Sequence, residues 1–76
     1  MKRLVSHLAR GLVREPGRVR VHEHVEHGHT VVELSLAPPD RGRVIGREGR
    51  TAGALRVLVG ALARRRGQSV VLEILD

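Results

Sequence analysis

No cysteine occurs in this 76-residue chain, so disulfides and thiolate metal sites are excluded and no oxidising compartment is required. Phenylalanine, tryptophan and tyrosine are also absent. The core must therefore be aliphatic, built from Val, Leu, Ile and Ala. The same absence bears on function, because nucleobases have no aromatic platform to stack on. That argues against RRM and OB-fold readers, which lean on such platforms. Lysine is reduced to Lys2, against thirteen arginines. No segment approaches membrane-spanning length. Met1-Lys2-Arg3 ahead of Leu4-Val5 faintly resembles the start of a signal peptide, but His7 and Arg10 interrupt the apolar run and no small-residue cleavage site follows. The expectation is a cytoplasmic protein with no membrane segment.

What is present suits one small folded domain over residues 1–76, with 41% hydrophobic residues. The net charge is +6 and is unevenly placed. Residues 41–66 hold eight arginines against one acid, Glu48, a balance of +7; the other residues balance at −1. A positive charge gathered in one segment is the electrostatic footprint of a nucleic-acid binder. Arg64, Arg65 and Arg66 fit a plainer role, favouring the C-terminus of their own helix.

Periodicity gives the elements. Leu4, Val5, Leu8 and Leu12 share one side of a helix over residues 2–14, ended by Glu15-Pro16-Gly17. Residues 18–27 alternate, with Val19, Val21 and Val25 on one face, and residues 30–37 alternate again, with Val32, Leu34 and Leu36 on one face. Gly28-His29 reads as the hairpin turn between them. That turn pairs Val25 with Val32 and Val21 with Leu36, so the apolar faces coincide. Glu23 falls on the same face, as a bulge or as an inward charge guarding an edge strand. Pro38-Pro39 stops the second strand, and Asp40 is placed as N-cap of a short helix through Ile45. A long helix follows over residues 50–66, with Gly67 as its C-cap, and then a last strand over 69–75. That strand has apolar residues on both faces and reads as more enclosed than the first. The helical crossover makes strands two and three parallel neighbours. The fold class is α+β: a mixed three-stranded sheet with helices on one face.

Between the short and the long helix lies Gly46-Arg47-Glu48-Gly49. Two glycines let a backbone turn sharply and approach a ligand closely. A helix N-terminus favours an anion through its dipole and its unpaired N–H groups. A GxxG turn between two helices is the backbone clamp of KH domains, which grip about four nucleotides of single strand. Arg43 and Arg50 flank the turn with planar guanidinium forks suited to phosphate, and Arg47 adds charge within it. Val44 and Ile45 face inward and outward in some division, as core and as an aliphatic rest for bases. The second strand is expected to face that groove. The plainer reading of the same residues is a tight turn that needs glycine only for its backbone angles.

The element order, together with Gly42-Arg43-Val44-Ile45-Gly46-Arg47-Glu48-Gly49-Arg50-Thr51-Ala52, Ala37-Pro38-Pro39-Asp40, Ala54-Leu55-Arg56 and Val70-Val71-Leu72-Glu73-Ile74, resembles a type II KH domain. More narrowly, nearly the whole chain resembles the small bacterial single-KH-domain RNA-binding proteins of the KhpA family. The resemblance implies a cytoplasmic protein that binds single-stranded RNA with modest sequence selectivity. It also implies homodimers, and a complex with a Jag/EloR-type KH protein. Two departures stand out. Glu48 occupies a GxxG position where family members often carry Gln or a basic residue, and histidines are unusually frequent in the hairpin.

Other constellations carry less. His22 and His24 share a strand face with His27 and His29 close by, but no carboxylate or thiolate ligands complete a recognisable set, so no metal site is assigned. Ser6 and Ser35 have no evident partner histidine and acid, there is no Walker-type lysine loop, and no catalytic residue or cofactor is assigned. On the long helix, Thr51, Leu55, Leu58, Val59 and Leu62 read as the core stripe. Ala54, Val57 and Ala61 form a surplus stripe of small residues that suits a second helix, hence a dimer interface unless the N-terminal helix covers it. A protein-interaction module with incidental RNA binding is the alternative function.

Overall fold

The computed structural model describes residues 1–75, except the side chains of Arg47 and Glu48. Helix α1 (Lys2–Leu12) leads through a 3-10 turn (Pro16–Arg18) into strand β1 (Arg20–Glu26), strand β2 (His29–Ser35), helix α2 (Pro38–Arg65) and strand β3 (Val70–Ile74). The sheet order is β1-β2-β3, with β1 antiparallel and β3 parallel to the central β2. This is the α+β arrangement of a KH domain.

The hairpin differs from expectation in register. His27 and Gly28 form the turn, at φ 51 and 79. Two consecutive positive φ values mark the turn type that matches strand twist, with glycine favoured at its second position. Val21 therefore pairs with Leu34, Glu23 with Val32 and Val25 with Thr30. The expected pairing was slipped by two residues, and a slip of two preserves which face each side chain takes. Apolar alternation cannot distinguish the two registers. No bulge interrupts the pairing at Glu23, which stays exposed on the edge strand.

The core forms where the helix-facing side chains of the sheet meet both helices. Val5, Val32, Leu34 and Val59 are its largest fully buried side chains, joined by Val44, Leu55 and Leu72. Each such residue contributes about 1.5–3 kcal/mol. On the opposite sheet face Val71 of β3 is 45% exposed beside buried Val31. With Leu72 buried and Val70 and Ile74 half-buried, β3 is nevertheless more enclosed than β1, as its composition suggests.

Helix α2 starts three residues earlier than expected, with Ala37 as N-cap and Pro38 and Pro39 at its first positions, where the missing N–H costs nothing. Asp40 is therefore not its N-cap. Its buried carboxylate instead accepts the backbone N–H groups of Arg14 (Oδ1, 3.0 Å) and Glu15 (Oδ2, 3.0 Å), tying the segment after α1 to the start of α2. The Arg14 N–H bond holds the carboxyl below the usual carboxylate range against the opposing effect of burial, helped by the Glu15 N–H and by the Arg43 and Arg14 charges. Asp40→Asn keeps the shape but turns an amide NH2 toward one of these donors. Its Tm at neutral pH should fall by roughly 5–10 °C in thermal melts. Because the folded pKa is depressed, the carboxylate's contribution is complete above about pH 3.9 and is lost as pH falls through the folded value. The two proteins should therefore converge in acid. Equal melting at neutral pH would refute this role.

At its C-terminus, α2 closes as the sequence suggests. Gly67 takes φ 69, its N–H bonds the Arg64 carbonyl, and the Gln68 N–H bonds the Ala63 carbonyl. These two bonds make up the Schellman arrangement.

Candidate nucleic-acid interface

Helical structure runs on through the glycine motif rather than lapsing into a separate loop, yet the run is not straight. As a rod, 28 residues would extend about 42 Å, whereas the longest dimension of the molecule is 33 Å. The break is at Gly49, whose φ of 70 lies in the left-handed region that side chains with a Cβ avoid. It divides α2 into a first limb before Gly49 and a second limb from Arg50 to Arg65. A Cβ built on Gly46 would meet nothing within 4 Å, so packing does not demand glycine there and the backbone is open to approach. Gly42 and Gly53 are equally open. What sets Gly46 apart is its place three residues before the left-handed break.

Val44 and Ile45 divide as core and surface. Val44 is buried, while Ile45 is 43% exposed beside the glycines. Arg43 is exposed, with Nη1 3.9 Å from Asp40 Oδ1, so its charge is shared in part with the carboxylate below it. Arg50 is exposed at the start of the second limb. The side chains of Arg47 and Glu48, expected inside the turn, lie outside what the structure describes. Arg56 donates its Nε–H to the Leu72 carbonyl at 3.3 Å, fastening the second limb to β3.

Val32 and Leu34 of β2 are buried at 0% and 1% exposure, on the sheet face that packs into the core. One expectation is corrected. The core stripe of the second limb is Ala52, Leu55, Val59 and Ala63, whereas Leu58 is 44% exposed. Reading the stripe by side-chain size favoured leucine over alanine, but alanine occupies the positions where this limb comes closest to the core. Of the surplus stripe, Ala54 is exposed, Val57 is 72% exposed and Ala61 is half-buried. Helix α1 packs against β1 and β2 and leaves Val57 uncovered.

Two of the hairpin histidines have local polar partners. His24 contacts Glu26 (Nε2–Oε2, 3.1 Å) and Glu33 (Nδ1–Oε1, 3.5 Å), and His29 Nδ1 lies 2.7 Å from Ser69 Oγ. Among the described residues no group of three or more His, Cys, Asp or Glu is arranged to hold a metal ion, and no helix is long and apolar enough to cross a membrane.

Residues 2–74 match the family described as KhpA/KhpB, KH domain. A protein of Halalkalibacterium halodurans named RNA-binding protein KhpA is 51% identical over 77 aligned positions spanning the whole of both chains. Proteins of the same name from Chlamydia pneumoniae and Aquifex aeolicus are 43% and 42% identical across all of this chain and 97% and 96% of their own. With a mixed sheet, two helical limbs hinged at a left-handed glycine and this full-length similarity, the chain belongs to the KhpA/KhpB family of KH-domain proteins.

Proposed function

We propose that this protein binds single-stranded RNA in the cytoplasm and grips its backbone at Gly46-Arg47-Glu48-Gly49, in the manner of a type II KH domain. The observation that carries the reading is the hinge at Gly49 in α2, with an open Gly46 three residues before it and arginines at 43, 47 and 50. A phosphate there meets backbone N–H groups at the start of a helical limb, which its dipole favours. Ile45 offers an apolar rest for a base. With no aromatic side chain in the protein, stacking adds little and sequence selectivity is modest. The protein binds rather than catalyses, and it needs no cofactor.

The exposed stripe of Ala54, Val57 and Ala61 supports a second reading, in which the domain acts mainly by pairing, either with a second copy of itself or with a Jag/EloR-type KH protein. RNA binding that depends on the glycine turn separates the two.

The test is a salt titration. Three or four phosphate contacts give a slope of log affinity against log salt near −2 to −3, at about −0.7 per contact for single strands. Arg43→Ala or Arg50→Ala should each flatten the slope by somewhat under one unit. An affinity for RNA that does not vary with salt would sink the backbone grip and favour the pairing reading.

A further inference from the structure

Summed along the chain, the residues outside 41–66 carry almost no net charge, but the fold separates their signs. All six of their basic residues fall within residues 2–20, on α1, the connection after it, the 3-10 turn and the first residue of β1, against one acid, Glu15. Of the remaining acids, Glu23, Glu26, Glu33 and Glu73 lie in the strands, and Asp40 is buried on backbone N–H groups. Between α1 and β1 runs a groove of about 870 Å³ whose lining includes Lys2, Arg3, His7, Arg10 and Arg20 and no carboxylate.

Three further observations point to an anion there. Lys2 and Arg3 occupy the first turn of α1, which has no acidic residue and no side-chain cap, so two cations sit at the positive end of a helix dipole. That arrangement is unfavourable until an anion joins it. Arg20 is already ordered, its Nη1 donating to the Gly17 and Val19 carbonyls at 2.9 and 3.0 Å. Just past the end of α2, Arg66 adds charge near the start of α1, its Nη1 3.5 Å from Met1 Sδ.

The groove also connects with the glycine hinge. His7 lines both it and a second, apolar groove of about 580 Å³ whose walls include Leu8, Leu12, Leu58 and Arg50. Arg50 directly follows Gly49. From Arg10 to Lys2 the basic groove follows α1 for about 12 Å, at 1.5 Å per residue.

We infer that the α1–β1 groove is a second RNA-backbone site, which takes up the strand beyond the roughly four nucleotides held at the glycine turn. The inference rests on the RNA-binding reading above. The ligand is a polyanion with evenly spaced charges rather than a single phosphate, because the cations are spread along the helix. Arginine-rich walls with no aromatic anchor suit a phosphate chain better than a protein surface.

The experiment compares single-stranded RNA of about four and about sixteen nucleotides by fluorescence anisotropy over a range of salt. The variant is Lys2→Gln with Arg3→Gln and Arg10→Gln, all three exposed. It should bind the long RNA at least about tenfold more weakly near 0.1 M salt, with a slope flatter by about two units for three lost contacts. Its affinity for the short RNA should stay within about twofold. Arg3→Lys with Arg10→Lys, which keeps the charge, should keep the slope. An unchanged long-RNA affinity in the Gln variant overturns the inference and leaves the groove to an acidic protein. An equal loss on both lengths overturns it too, since that reports only a weaker overall field. If the wild type ignores the short RNA while the Gln variant still loses the long one, the glycine grip fails and the groove stands. If the wild type binds neither, both fail.

Discussion

Arg47→Asp combined with Glu48→Asp should abolish most RNA binding while the circular dichroism spectrum and melting curve stay native. The two carboxylates would occupy the turn where a phosphate is proposed to approach. Both glycines are kept, so the left-handed backbone at Gly49, φ 70, is not disturbed. Gly49→Ala would confound the test, because a Cβ at that φ strains the fold as well as the site. The charge arithmetic makes the double variant decisive. Over residues 41–66 it leaves seven arginines against two carboxylates, a balance of +5 in place of +7. Long-range attraction therefore largely survives. If binding were only the diffuse pull of a basic domain, affinity would fall modestly and the salt slope by about one contact. A grip at the turn predicts more than about a tenfold loss on short and long RNA alike, because the anion's own position becomes repulsive. Filter binding distinguishes the outcomes, and near-wild-type affinity in a natively folded variant would remove the turn from the site.

The sequence reveals the turn through its paired glycines and the C-cap through a glycine after a run of basic residues, although type alone does not single out Gly49, since Gly42, Gly46, Gly53 and Gly60 of the same helix keep ordinary φ. It is less informative where two arrangements satisfy the same pattern. The β1–β2 register slipped by two residues with no face changed, and only the φ values at His27 and Gly28 decide between the pairings. The buried stripe of the second limb was misread because Ala52 and Ala63 look weak beside Leu58, although small residues let a helix lie close to its neighbours. Asp40 was legible as a capping residue, but the N–H groups it satisfies belong to Arg14 and Glu15, 26 and 25 residues away, which no local pattern shows. The basic groove was hidden by addition. The cations of α1 and the acids of the strands cancel along the chain and separate only in three dimensions.

Val57→Glu should convert a wild-type dimer into a folded monomer, seen by light scattering at micromolar concentration. Val57 is 72% exposed, with exposed Ala54 on one side and half-buried Ala61 on the other. Small residues of this kind let a second helix approach closely. A glutamate at the centre of such a contact is an unpaired buried charge, costing several kcal/mol in similar settings. The domain itself should not suffer, since Val57 is absent from the core built on Ala52, Leu55 and Val59. Unfolding of the variant would contradict the exposure of Val57, and a wild type that is already monomeric would dispose of the pairing reading for a second copy. The monomer then separates two properties of RNA binding. If each domain grips alone, the affinity for a short RNA persists, and only the gain that a long strand draws from two linked sites disappears. A monomer that no longer binds the short RNA would place residues of both copies in one site.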